Sequence, residues 1–171
     1  MAVQEEIVNK VAQSGLVTLN LEQYAPTQAV VGMDIKEQLF QGLILREKDF
    51  RAWVDTHDWA AYAGKHVAIH CSADAIVPTW AYMLLTTRLA QAASVVFATP
   101  DHRRDELYRT ALLQALDPAA YADARVILKG CGSVPISAYV EASRILKPVV
   151  KSLMYGEPCS TVPIYKKPKT P

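Results

Sequence analysis

The stretch DWAAYAGKHVAIHCSADAIVPTWAYMLL, Asp58 to Leu85, decides the fold, because it recurs. Laid over DPAAYADARVIL (Asp117 to Leu128), its first twelve residues share the aspartate, Ala-Ala-Tyr-Ala and the strand valine without a gap. With small gaps Cys71 then meets Cys131, Val77-Pro78 meets Val134-Pro135, Ala81-Tyr82 meets Ala138-Tyr139 and Arg88 meets Arg144. Upstream, EKDFR (Glu47 to Arg51) falls near DELYR (Asp105 to Arg109), and GLIL near SVVFA. No helix or strand period forces such matches, so the chain reads as two duplicated units, about 43–93 and 94–150. Each has the order strand, helix, linker, strand, cysteine turn, helix.

Periodicity supports this reading. LVTLNL (Leu16 to Leu21) alternates in period two, whereas LIL, HVAIH, SVVFA and RVILK are short apolar runs expected of strands buried on both faces. Helices are predicted over Glu47 to Thr56, Thr79 to Ala93, Arg103 to Leu116 and Ile136 to Met154, with Pro148 kinking or dividing the last. A further helix, Glu5 to Gln13, precedes the first strand. Strands alternating with helices predict an α/β fold, a mainly parallel sheet flanked by helices. A single domain over 1–165 is expected, with 166–171 a disordered tail.

Of the 171 residues 51% are hydrophobic and the net charge is only +1, so no field draws the chain onto nucleic acid or an anionic membrane. The N-terminal sequence MAVQEEIVNKVAQSG lacks the basic start and apolar stretch of a secretory signal, and no apolar run approaches the ~18 residues of a membrane span. A cytoplasmic protein is expected. There is no GxGxxG or GxxxxGK phosphate loop.

Three widely spaced cysteines suit reduced thiols better than a disulfide framework. Cys71 and Cys131 each follow a strand and precede a helix, which puts them at the carboxyl edge of a parallel sheet, where ligands bind and helix starts favour a thiolate. Cys159, in GEPCSTVPIY, repeats the theme of cysteine, small polar residues and Val-Pro. If all three converge, with His70 or Asp74 as a fourth ligand, they would hold zinc, iron or an iron–sulfur cluster. The leading expectation is therefore a non-enzymatic accessory protein with Cys71, Cys131, Cys159, His70 and Asp74 as metal ligands. A thiol-dependent enzyme centred on Cys71, with His70 or His66 beside it, is a second reading. The third is an interaction module, a homodimer whose cysteines are merely buried. Asp58 and Asp117 read as helix-end residues, His57 and His102 as surface residues, and Tyr82, Tyr139, Arg88 and Arg144 as packing between the units.

In FQGLILREKDFR, GKHVAIHCSADAIVPTWAYML and VKSLMYGEPCSTVPIYK the chain resembles the uncharacterised bacterial family called domain of unknown function 2480. The resemblance spans nearly the whole chain, though KGCGSVP, around Cys131, matches less closely. It implies no established activity. It does imply a place beside the sulfur-mobilisation machinery that builds iron–sulfur clusters, and so iron–sulfur assembly proteins as partners.

Overall fold

A computed structural model describes residues 15–168, so the helix expected at Glu5 to Gln13 and residues 169–171 of the expected tail lie outside the described residues. The described chain is α/β, with four α-helices and mainly parallel strands. The strands form two sheets rather than the one expected, and the chain divides into two compact units, residues 26–107 and residues 15–25 with 108–168. Among the described residues no helix is long and apolar enough to cross a membrane.

The continuous unit, 26–107, runs β2 (Val30–Asp34), α1 (Glu47–Thr56), β3 (His66–His70), α2 (Thr79–Arg88) and β4 (Ser94–Phe97). Its strands are parallel in the order β2-β3-β4, with Val30 opposite His66 and His66 opposite Ser94. Val67 and Ile69 alternate out of β3 onto a core of Phe50, Val54, Ala81 and Leu85, all at most 2% exposed. Each such Val, Ile, Leu or Phe contributes about 1.5–3 kcal/mol of transfer free energy. Val30 to Asp34 is a strand the apolar pattern conceals, because Gly32 interrupts it. A Cβ at Gly32 would stand 2.7 Å from Pro100 Cγ, so close approach, not propensity, dictates the glycine.

The split unit starts with β1 (Leu16–Asn20) and resumes within α3 (Pro100–Ala115), where the boundary falls after Leu107. It continues through β5 (Arg125–Lys129), α4 (Ile136–Leu146), β6 (Ser152–Glu157) and β7 (Ser160–Lys166). Its order is β1-β5-β6-β7, parallel except for β7, which folds back as a hairpin on β6. Leu19, Val126, Leu128 and Leu153 point into a core with Leu112, Ala138 and Leu146.

These units cut across the expected copies. β4 belongs with β3, and the first strand of the split unit is β1, 109 residues before its partner along the register Leu16 to Arg125. Local geometry does repeat: Asp58 and Asp117 each cap a short 3-10 turn, accepting the Ala60 and Ala119 amides at 3.1 and 2.9 Å. Asn20 and Asp34 do the same at the ends of β1 and β2.

Other expectations fail for identifiable reasons. GLIL is no strand: Gln41 and Gly42 take left-handed turns, and Ile44 makes only isolated bridges to Phe40 and Ile76. Helix α4 stops at Leu146 rather than Met154, because Pro148 has no amide to donate, and Met154 lies in β6. Lys166 ends β7 and the Lys167 amide donates to Lys151 O at 2.9 Å, so neither belongs to a loose tail. His57, expected at the surface, packs between Trp53 and Trp59 at 4.6 and 4.8 Å and reaches the Tyr62 hydroxyl at 3.1 Å.

Candidate functional site

Both units build the carboxyl edge of their sheet from similar parts. In the continuous unit Asp34 ends β2 beside His70 at the end of β3, and the next residues, Cys71 and Ser72, turn away from the sheet. Asp34 accepts the Ser72 amide at 3.1 Å and its hydroxyl at 2.6 Å, and so clamps the loop that carries the thiol. Burial pushes the Asp34 carboxyl up, but the Ser72 and Lys36 hydrogen bonds, with His70 beside them, outweigh it and hold the group below the usual carboxylate range.

In the split unit Glu22, just past β1, accepts the Cys131 amide at 2.7 Å, and the Cys131 sulfur lies 2.7 Å from the Ser133 hydroxyl. A tyrosine from the following helix stands over each edge. Tyr82 packs edge-to-face on Phe97 of β4 at 4.9 Å, and Tyr139 packs likewise on Tyr155 of β6 at 5.4 Å. Both phenols are raised: Tyr82 by burial and then by Cys71 and Asp34, Tyr139 by burial and then by Tyr155, Cys131 and Glu22. They stay neutral at pH 7 and can donate hydrogen bonds. These tyrosines therefore pack on strands of their own units. Arg88 pairs with Asp55 at 2.6 Å, and Arg144 with the buried Glu141.

The thiols are placed differently from one another. Cys71 directly follows β3 and is half-buried, its sulfur 3.6 Å from Ala73 O. Cys131, two residues past β5, and Cys159, in the tight turn between β6 and β7, are exposed. The expectation of merely buried cysteines therefore fails for these two. Asp74 is exposed in a bend of the loop before α2. Among the described residues no group of three or more His, Cys, Asp or Glu could hold a metal ion; of the expected ligands, His70, Cys71 and Asp74 lie in the continuous unit and Cys131 and Cys159 in the split unit. The strands that carry the cysteines belong to two sheets, which sequence spacing cannot reveal.

The imidazoles expected near Cys71 are engaged elsewhere. His70 directs Nδ1 to Ala68 O at 3.3 Å and Nε2 toward Asp34 at 3.9 Å, while His66 Nδ1 meets the Ser94 hydroxyl at 2.8 Å. Burial, and then the Arg103 guanidinium, push His66 down.

A feature absent from the sequence reading lies beside the Cys131 edge. Ile136, Tyr139, Val140 and Ser143 of α4 wall an apolar groove of about 490 Å³ whose other side is Leu128, Tyr155 and Ile164 of the sheet. Among its described lining residues the polar groups are one serine and two phenols, with no carboxylate or imidazole. Ile136 is 81% exposed. The 136/140 spacing was the available signal, hidden because Ile136 also reads as a core residue of the helix start.

The chain belongs to the family described as protein of unknown function, DUF2480, whose family model matches residues 5–167. No curated protein and no solved structure matches it.

Proposed function

We propose that this member of DUF2480 is a non-enzymatic interaction module that pairs with a second copy of itself through the groove between α4 and the β6–β7 hairpin. The carrying observation is the exposed apolar face there: Ile136, Val140, Tyr155, Val162 and Ile164 are each between 48 and 81% exposed. Together they present on the order of 600 Å² per copy, approaching the ~800 Å² each partner covers in a stable complex. Pairing by this face, rather than by sheet extension, follows from β7: as an edge strand it carries Pro163, which has no amide to offer, and ends on Lys166. A self-complementary patch closes into a two-fold dimer. Holding zinc, iron or a cluster through Cys71, Cys131 and Cys159 draws no support from this geometry, and iron–sulfur assembly proteins enter only as molecules that a dimer could engage.

Light scattering and sedimentation across a concentration series test the reading. A dimer is expected in the micromolar range, with Val140→Glu and Ile164→Glu each shifting it to monomer while the unfolding free energy of the monomer, measured below the dissociation concentration, stays within about 0.5 kcal/mol, as befits exposed positions. A monomer at every concentration, or a dimer indifferent to both substitutions, overturns it.

A further inference from the structure

The first turns of α3, Pro100 to Leu107, belong to the continuous unit, and a chain of three side chains ties them to its sheet. Arg103 Nη2 donates to Ser94 Oγ at 2.8 Å, and the same oxygen lies 2.8 Å from His66 Nδ1. His66 and Ser94 are register partners at the amino ends of β3 and β4. A hydroxyl that accepts from a guanidinium still has its own proton to give, and a neutral imidazole takes it at Nδ1, which leaves the His66 proton on Nε2. The chain is complete only in that state. An imidazolium would put a second donor and a second cation on the Ser94 oxygen, and the hydroxyl proton would lose its acceptor. Arg103 has little in reserve: its Nη1 donates to Glu106 at 3.1 Å, and its Nε is buried without a hydrogen-bond partner among the described residues.

We propose that His66 is a proton-sensitive latch on α3: a neutral imidazole lets Ser94 hold Arg103 and the helix start on the sheet, and an imidazolium releases them. The other titratable groups nearby carry the opposite sign. On α3, His102 lies 3.5 Å from Glu106, and on the face of β3 that His66 shares with His70, the latter lies 3.9 Å from Asp34. A proton on either imidazole draws that pair together, and β2 offers only Val30 opposite His66. Burial and the Arg103 guanidinium hold His66 below the usual imidazole range, so the released form binds the proton more tightly. The latch is therefore closed above ~6.5, the pKa of a free imidazole, and opens as pH falls below it. Pro100, whose ring carbon a Cβ at Gly32 would meet at 2.7 Å, leaves with the helix and bares the middle of β2.

Amide hydrogen exchange on the full chain, corrected for the intrinsic effect of pH, tests the latch on either side of the imidazole range, at about pH 7.5 and about pH 5. A helix end without packing frays, so protection of the Arg103 to Leu107 amides should drop at least about threefold at the lower pH, while the Val67 and Ile69 amides of β3 keep theirs. The drop should share its midpoint with the His66 imidazole followed by NMR. His66→Asn, whose Oδ1 accepts the Ser94 hydroxyl and does not titrate, should hold the protection at both pH values, and Ser94→Ala should lower it at both. His102→Gln should leave the drop intact. Equal protection at the two pH values in the native chain, or a midpoint that does not follow His66, overturns the proposal without need of any variant. So does a drop that survives His66→Asn or vanishes in His102→Gln.

Discussion

Glu22 Oε1 accepts the backbone amide of Cys131 at 2.7 Å across 109 residues of sequence. One carboxylate thus fixes where the Cys131 loop leaves β5, and the thiol it carries is positioned from the far end of the unit. Glu22→Ala leaves that amide to water. A loss of about 0.5–1 kcal/mol is expected because the pair is exposed, together with a faster reaction of Cys131 with a thiol reagent while Cys159 is unchanged. Peptide mapping of the labelled sites against time checks both; equal acceleration at the two cysteines would deny Glu22 its local hold.

Thiol exposure sets an order of reactivity. Cys131 and Cys159 are exposed and Cys71 is half-buried, so two thiols should react quickly with a chromogenic disulfide in the native chain and the third slowly, catching up in denaturant. Cys71→Ser should remove the slow phase alone.

Asp34 makes stability depend on acid. Its folded pKa lies below that of the unfolded chain, ~3.9, so its contribution is complete above that value and is lost as pH falls through the folded one. Glu141 behaves likewise, held low first by the Arg144 hydrogen bond against the opposing effect of burial. Urea unfolding should therefore show stability falling below about pH 4. Asp34→Asn should cost about 1–2 kcal/mol at pH 7 and flatten the acid loss, with the residue of the slope removed by Glu141→Gln.

Close packing at the end of β5 can be tested by addition. A Cβ at Gly130 would stand 2.7 Å from the Tyr139 hydroxyl and 2.8 Å from Val134 Cγ2. Gly130→Ala should cost about 1–3 kcal/mol by overpacking. Tyr139→Phe removes one of the two obstacles, so the double variant should recover part of the loss. A double-mutant cycle measures the coupling, and strict additivity would contradict the contact.

Much of the fold was legible because the informative signals are local. Asp58 and Asp117 announce their caps, the runs HVAIH and RVILK announce central strands, and Pro78 and Pro135 mark the approach to α2 and α4. The concealed elements depend on distant partners. Val30 to Asp34 is a strand only because His66 to His70 lies beside it and Pro100 covers Gly32. The β6–β7 hairpin looks like a punctuated loop because Gly156, with φ 119°, Pro158 and Pro163 all break the apolar pattern, yet an edge strand tolerates them. The cysteine turns were legible one at a time. Their mutual placement was not, since nothing in the spacing of Cys71, Cys131 and Cys159 says which sheet each neighbouring strand joins. Nor could the pattern reveal Glu22 or Asp34 as the groups that hold the turns, for each acts across a strand pair rather than along the chain.

The pairing of Leu16 with Arg125 also dictates a timetable. As the chain leaves the ribosome, β1 emerges early but finds no partner until β5 has been made, an interval of roughly 5–20 s at ordinary translation rates. Residues 26–107 are complete 18 residues before Arg125, roughly 1–4 s earlier at the same rates. A chain truncated before Arg125 and released should therefore hold one finished sheet and one unpaired strand, a species that a chaperone would meet and the mature protein never shows.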